Sequence, residues 1–119
     1  MLTSYEIAQK IVKSLDDKLA RDITVLKTDK ITVLADYFII CTATSSTHGK
    51  TLVEETDRAL SEAGEPPLRR EGYRSGSWVL LDFGCVILHV FQEDTRKFYN
   101  LEHLWSDATA VDYKTMLEG

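Results

Sequence analysis

The fold of this chain is decided by the stretch Ser77-Trp78-Val79-Leu80-Leu81-Asp82-Phe83-Gly84-Cys85-Val86-Ile87-Leu88-His89-Val90-Phe91. Two apolar runs flank the pair Phe83-Gly84, which suits the tight turn of a β-hairpin. If these two residues form the loop, the cross-strand pairs are Asp82 with Cys85, Leu80 with Ile87, and Trp78 with His89. The stretch therefore predicts two antiparallel strands joined by a short turn.

The two faces of this hairpin differ, because side chains alternate along a strand. One face is wholly aliphatic and is predicted to be core; it carries Val79, Leu81, Val86, Leu88 and Val90. The other face mixes Trp78, Leu80, Ile87 and Phe91 with Asp82 and His89. The residues leave two interpretations of this mixed face open. Either a helix covers it, with Asp82 and His89 near the edge, or it is a partly exposed apolar patch that binds another protein.

The segments before the hairpin predict a helix, two strands and a second helix. Thr3 and Glu6 have the spacing of a capping box, and apolar residues recur every four positions up to Leu19, which predicts a helix over about residues 4–20. Residues 23–26 alternate and are rich in β-branched side chains, as in a strand. Residues 37–42 form a short apolar run that is typical of a central strand buried on both faces.

The second helix is predicted over about residues 47–63, after the N-cap chemistry of Thr44 to Thr47. Gly64 ends it, and Pro66-Pro67 prevents its continuation. Beyond the hairpin, residues 93–96 predict a turn and residues 98–105 a short helix. This order predicts a single α/β domain over residues 1–119, in which helices pack on a mixed β-sheet.

The size and net charge of the chain limit the kinds of partner that it is expected to bind. The chain has 119 residues, of which 44% are hydrophobic, and a net charge of −5. Such a charge argues against direct binding to the phosphate backbone of nucleic acids, but it suits docking onto a basic protein. The first six residues lack a signal peptide's features, and no run spans a bilayer, so we expect a cytoplasmic protein without a membrane partner. Cys41 and Cys85 lie in apolar runs and are predicted to be reduced, buried thiols.

The motifs of several enzyme classes are missing. The run 42–51 contains Gly49-Lys50-Thr51, but a P-loop also needs glycine where Thr44 stands. Asp36 and Asp82 each lack the second carboxylate that nucleotidyl transfer requires for its metal ions. The three histidines have no ligand spacing, so no zinc site is predicted. We therefore expect no catalytic residues, no metal and no cofactor.

Several segments taken together resemble the ribosomal silencing factor family, also called Iojap. The segments are Ala35-Asp36-Tyr37-Phe38-Ile39-Ile40, Thr44-Ser45-Ser46, Glu71-Gly72, Gly76-Ser77-Trp78-Val79-Leu80-Leu81-Asp82-Phe83-Gly84, Val90-Phe91, Thr95-Arg96, Phe98-Tyr99-Asn100-Leu101-Glu102 and Leu104-Trp105. Their order and spacing agree with the family from about residue 3 to 105. The resemblance implies a core similar to that of nucleotidyltransferases but without the catalytic acids.

The resemblance also implies a function. Members of the family bind the fourteenth protein of the large ribosomal subunit, and this binding blocks association of the two ribosomal subunits and represses translation. Carried over by position, the partner-binding residues are Trp78 and Leu80, together with Asp82, Tyr99 and Asn100, whose motif positions are compatible with either a contact or a structural role. Homodimers occur in the family, so self-association is a further expectation.

One residue departs from the family pattern, and two other functions are compatible with the sequence. Cys85 stands where the family usually has an aspartate, a change that a residue beside a turn can tolerate. The first alternative is a degenerate nucleotidyltransferase that still binds a nucleotide, which a thermal-shift screen would detect. The second is an adaptor for another complex, which would not sediment with large ribosomal subunits.

Overall fold

The computed structural model describes residues 2–28, 35–72, 77–100 and 108–118. Within these ranges, the elements in chain order are α1 (Ser4–Asp17), β1 (Arg21–Lys27), β2 (Tyr37–Ala43), α2 (Ser46–Glu62), β3 (Arg69–Glu71), β4 (Trp78–Asp82), β5 (Val86–Gln92), α3 (Glu93–Tyr99), β6 (Thr109–Val111) and α4 (Tyr113–Glu118). None of the helices in these ranges is both long enough and apolar enough to cross a membrane.

The six strands of the described ranges form one mixed sheet in the order β3-β4-β5-β2-β1-β6. Strands β2 and β5 pair in parallel, and every other neighbouring pair is antiparallel. The predicted α/β fold with a mixed sheet and packed helices is therefore confirmed. The similarity to a nucleotidyltransferase core stays a prediction.

The centre of the sheet separates two apolar cores. Every residue of β2 is buried, as the sequence predicted for this strand. On one side, which we call the helix-covered face, α2 packs on β2, β4 and β5, α1 packs on β2 and β5, and α4 packs on α1 and β1. On the opposite face, a smaller core gathers Leu26, Ala35, Phe38, Ile40 and Phe91.

The turn of the β4–β5 hairpin lies one residue later than predicted. The observed cross-strand pairs are Trp78 with Phe91, Leu80 with His89, and Asp82 with Ile87, so the three predicted pairs are wrong. The loop residues are Gly84 and Cys85, and the Phe83 amide donates to the Val86 carbonyl oxygen across them at 2.9 Å. Gly84 has φ +87° at the first loop position, as in a type II′ turn, where glycine is favoured.

The predicted faces are nevertheless correct. Moving a turn by one residue moves each cross-strand partner by two positions, and a shift of two keeps every side chain on its face. All five aliphatic residues that were assigned to the core are accordingly buried on the helix-covered face: Val79, Leu81, Val86, Leu88 and Val90.

Helix α1 begins as predicted but ends three residues early. The capping box between Thr3 and Glu6 is present. Leu19 was expected on the apolar stripe, but it adopts a left-handed backbone with φ 63° and is 79% exposed. The Ala20 amide donates to the Leu15 carbonyl oxygen at 2.9 Å and the Leu19 amide to that of Asp16 at 3.0 Å, so a Schellman motif stops the helix.

The other two predicted helices differ in how well they agree with the structure. Ser45 caps α2, and Gly64 follows its end with φ +83°, close to the predicted limits. After the hairpin, residues 93–96 are not a turn but the first part of helix α3. The predicted helix over residues 98–105 begins too late, and residues 101–105 lie outside the described ranges.

Asp36 connects the start of β2 to the hairpin turn. Its backbone amide donates to the Cys85 carbonyl oxygen at 2.7 Å, and its carboxylate accepts a hydrogen bond from the Ser4 hydroxyl. The Thr28 amide donates to the Asp36 carbonyl oxygen at 2.8 Å. Asp36 therefore forms hydrogen bonds that connect α1, the end of β1 and the hairpin. Cys85 takes part in this connection through its backbone carbonyl oxygen.

Candidate protein-binding surface

Three of the residues expected to bind a partner lie on β4, on the opposite face of the sheet. Trp78, Leu80 and Asp82 alternate with core residues and are each half-buried. Helix α3 covers only part of this face, so it is partly exposed as the second interpretation expected, while its binding to another protein stays a prediction. Tyr99 from α3 packs on Trp78, with ring centroids 4.5 Å apart.

The indole of Trp78 is held in one orientation by its neighbours. It stacks on Phe91 with centroids 5.1 Å apart and planes inclined by 27°. Its Nε1–H donates to Nδ1 of His89 at 3.0 Å. An aromatic side chain that is oriented before binding loses little conformational entropy when a partner arrives.

His89 is the buried acceptor of this hydrogen bond. It is 5% exposed and lies between the rings of Phe38, Phe91 and Trp78. Burial lowers its pKa from 6.5 to about 4, so the imidazole is neutral at physiological pH. Because Nδ1 accepts from Trp78, the proton of the neutral ring is on Nε2. The sequence alone did not assign this supporting role to His89.

Helix α3 adds two exposed aromatic side chains. Tyr99 is 46% exposed and Phe98 is 82% exposed, and their rings meet edge to face at 5.1 Å. With Trp78 and Leu80 they form a continuous surface, which we call the Trp78 patch. Phe98 lies in a segment that resembles the family, but sequence spacing gave no indication that its side chain would face solvent.

Asp82 and Asn100, the other two expected contact residues, also have structural roles. Asp82 lies at the far end of β4 from Trp78; its carboxylate accepts from the Gly84 amide at 2.7 Å and forms an ion pair with Arg69 at 3.1 Å. Asn100 adopts a left-handed backbone with φ 45° and ends α3. The structure therefore brings Trp78, Leu80 and Tyr99 together and leaves Asp82 at the hairpin turn.

The residues that suggested chemistry have structural surroundings. Ser45 caps α2 where a P-loop would bind phosphate, and the Thr44 amide donates to Nδ1 of His48 at 2.9 Å. Burial raises the pKa of the Cys41 thiol to about 12, which keeps it protonated and a poor nucleophile. Both cysteines are free, but Cys85 is only half-buried, so the prediction that it is a buried thiol is wrong. Within the described ranges, no three acidic, histidine or cysteine side chains converge on a metal position.

Comparison with known proteins decides the family. The sequence profile described as "Ribosomal silencing factor during starvation" matches residues 2–118, almost the whole chain. The chain belongs to the ribosomal silencing factor family. This membership gives it a ribosome-associated silencing role.

Individual relatives of this silencing factor agree with the assignment. The ribosomal silencing factor RsfS of Halalkalibacterium halodurans is 36% identical over 116 residues, which cover 98% of this chain and 99% of that protein. The chloroplastic protein Iojap of Zea mays is 31% identical over 108 residues, 88% of this chain and 46% of that protein. A crystal structure of a Chromobacterium violaceum protein superposes with a TM-score of 0.86 at 35% identity, covering 88% of each chain.

Proposed function

We propose that this silencing factor binds the fourteenth protein of the large ribosomal subunit through the Trp78 patch. Once bound, it would occupy the surface that meets the small subunit and block subunit association, and so repress translation. It would act by steric exclusion and would not catalyse a reaction. The observation that carries the proposal is the continuous aromatic surface of Trp78, Tyr99 and Phe98, whose rings contact one another in that order.

The composition of the patch supports protein binding. Tryptophan and tyrosine are enriched among the residues that dominate the binding energy of protein interfaces. Such residues contribute most where neighbouring contacts exclude water. Here Trp78 is half-buried and anchored by His89, while Phe98 exposes most of its ring. Such a surface offers apolar area to a partner without requiring the monomer to rearrange.

The charge of the chain supports the same class of partner. A net charge of −5 favours a basic ribosomal protein over direct contact with RNA, because phosphates repel an acidic surface. We propose no nucleic-acid specificity, no membrane partner, and a cytoplasmic location where ribosomes are found. Homodimerisation stays a prediction, and sedimentation velocity over a range of protein concentrations would test it.

Asp82 and Asn100 remain proposed contact residues, but each also has a structural role that a substitution would disturb. The Asp82 carboxylate also stabilises the hairpin turn and pairs with Arg69, so its removal changes the fold locally. Asn100 supplies the left-handed end of α3, and its substitution would move Tyr99. Binding losses at these two positions therefore count as contact losses only when thermal stability is unchanged.

The direct test is calorimetry with the purified large-subunit protein. Trp78→Ala should weaken binding by about thirtyfold, the loss expected for a hot-spot residue worth about 2 kcal/mol. Because Trp78 also packs inside the fold, Phe98→Ala is the cleaner variant: its ring is 82% exposed, so the fold should keep its stability while affinity falls. Leu19→Ala, an equally exposed hydrophobic residue after α1, is the matched control.

A functional assay follows the association of purified ribosomal subunits by light scattering. Added wild-type protein should slow the rise in signal, and Phe98→Ala should do so only at higher concentrations, in proportion to its affinity. Unchanged affinity in Trp78→Ala, Leu80→Ala and Phe98→Ala together would remove the Trp78 patch from the interface.

A further inference from the structure

Glu71 lies beside the Trp78 patch with no assigned role. It is exposed on edge strand β3, where it pairs with Leu80 of β4 and therefore shares its face. Two residues earlier on the same face, Arg69 pairs with Asp82 and the two side chains form an ion pair at 3.1 Å. Glu71 instead faces an apolar neighbour, and among the described residues it has no ion-pair partner.

Glu71 stands at the rim of a small pocket. The pocket has a volume of about 190 Å³ and is lined by Glu71, Gly72, Trp78 and Leu80. Gly72 has φ +75°, and a Cβ atom there would lie 2.1 Å from the Trp78 carbonyl oxygen, so this position requires glycine. The volume is smaller than the roughly 300 Å³ or more that small-molecule sites occupy, and it suits a single side chain.

We propose that this pocket takes one arginine side chain of the ribosomal partner. The methylene groups would pack against Leu80 and the indole of Trp78, and the guanidinium would pair with the Glu71 carboxylate at the rim. A guanidinium is the cation that best combines stacking on an aromatic ring with two parallel hydrogen bonds to a carboxylate. The acidic charge of the whole chain favours the approach of such a group.

This inference rests on the proposed function and adds a specific contact to it. A partner that met only the apolar side chains would leave the Glu71 carboxylate beside a water-excluded interface without a counter-charge, which is costly. An arginine removes that cost and also fixes the register of the two proteins. The pocket would therefore contribute to the choice of partner as well as to affinity.

The test compares two variants that make the same change in net charge. Glu71→Gln keeps the shape of the side chain and removes its charge; it should weaken binding to the purified large-subunit protein about tenfold and make the affinity less dependent on salt. Asp16→Asn makes the same charge change on an exposed residue of α1, which packs on the other face of the sheet, and should bind like wild type. Thermal denaturation should show that both variants are folded.

A second arm identifies the partner residue. Exposed arginines of the large-subunit protein are replaced one at a time by glutamine and measured against both wild type and Glu71→Gln. One replacement should weaken binding to wild type about tenfold and have no further effect on Glu71→Gln, because both changes remove the same contact.

The outcomes separate this inference from the proposed function. If wild type does not bind the large-subunit protein, the proposed function fails, and the pocket assignment fails with it. If wild type binds and Glu71→Gln behaves like Asp16→Asn, the pocket assignment alone is refuted. If Glu71→Gln weakens binding but every arginine replacement adds to its effect in full, the arginine assignment is overturned.

Discussion

The buried imidazole of His89 should make the stability of this protein depend on pH in a window that can be calculated. The ring lies against Trp78, Phe38 and Phe91, and burial lowers its pKa from 6.5 to about 4. The folded state therefore binds this proton less readily than the unfolded chain, in which the histidine is hydrated and has its ordinary pKa.

The sign and size of the effect follow from this difference. Above pH 6.5, neither state binds the proton, and His89 adds no pH dependence. As the pH falls from 6.5 towards 4, the unfolded chain is protonated first, so the free energy of unfolding falls by about 1.4 kcal/mol per pH unit. Between pH 7.5 and 4.5, this single group should cost about 2.5 kcal/mol of stability.

Urea denaturation at a series of pH values, with wild type and His89→Asn, isolates this contribution. Asparagine does not titrate, and its Oδ1, bonded to Cγ like Nδ1 of histidine, can accept the hydrogen bond that Trp78 now donates to His89. All other ionisable groups are common to both proteins, so their effects cancel in the difference. Wild type should lose about 2.5 kcal/mol more than the variant between pH 7.5 and 4.5. Parallel stability curves would refute the reasoning.

Three further substitutions test the backbone and the polar contacts. Gly72→Ala should lower the free energy of unfolding by about 2 kcal/mol or more, because the new Cβ atom would collide with the backbone of Trp78. Gly64→Ala has open space around it and should lower the free energy of unfolding by only about 1 kcal/mol, the cost of its left-handed conformation. Similar melting temperatures for the two variants would contradict this reasoning. Arg96→Lys should lower the free energy of unfolding by about 2 kcal/mol, because lysine cannot donate to two threonine hydroxyls and a backbone carbonyl at once. Unchanged stability in urea would show that these hydrogen bonds are dispensable. Ser45→Ala should remove the N-cap of α2 and lower the free energy of unfolding by about 1 kcal/mol. Ser46→Ala is the control and should leave the melting temperature unchanged.

Local patterns in the sequence were sufficient for much of the fold. The capping box of α1, the glycine after α2 and the buried run of β2 were all predicted, because each depends on residues close together in the chain. The two faces of the hairpin were also predicted, since alternation along a strand does not depend on where the turn lies. The five aliphatic side chains of one face are accordingly all core.

Signals that depend on backbone detail were less reliable. The hairpin turn lies one residue later than predicted, because a Phe83-Gly84 loop needs a positive φ at a phenylalanine, whereas the observed Gly84-Cys85 loop places the positive φ at glycine. The end of α1 was missed because Leu19, an apolar residue at helical spacing, adopts a left-handed conformation that its side chain does not favour. The sequence predicted a turn for the first part of α3, since its first residues are polar and the helix is only seven residues long.

The candidate binding surface shows where the sequence could not decide. The family resemblance implied Trp78, Leu80 and Tyr99 together with Asp82 and Asn100. It could not show that Tyr99 would pack on the indole or that His89 would accept its hydrogen bond. These contacts join β4, β5 and α3, and their geometry arises only when the elements pack. Residue types and their spacing therefore determined which face of the hairpin was core, whereas the exposure of the Trp78 patch was decided by tertiary packing, since solvent access depends on every element that covers a surface.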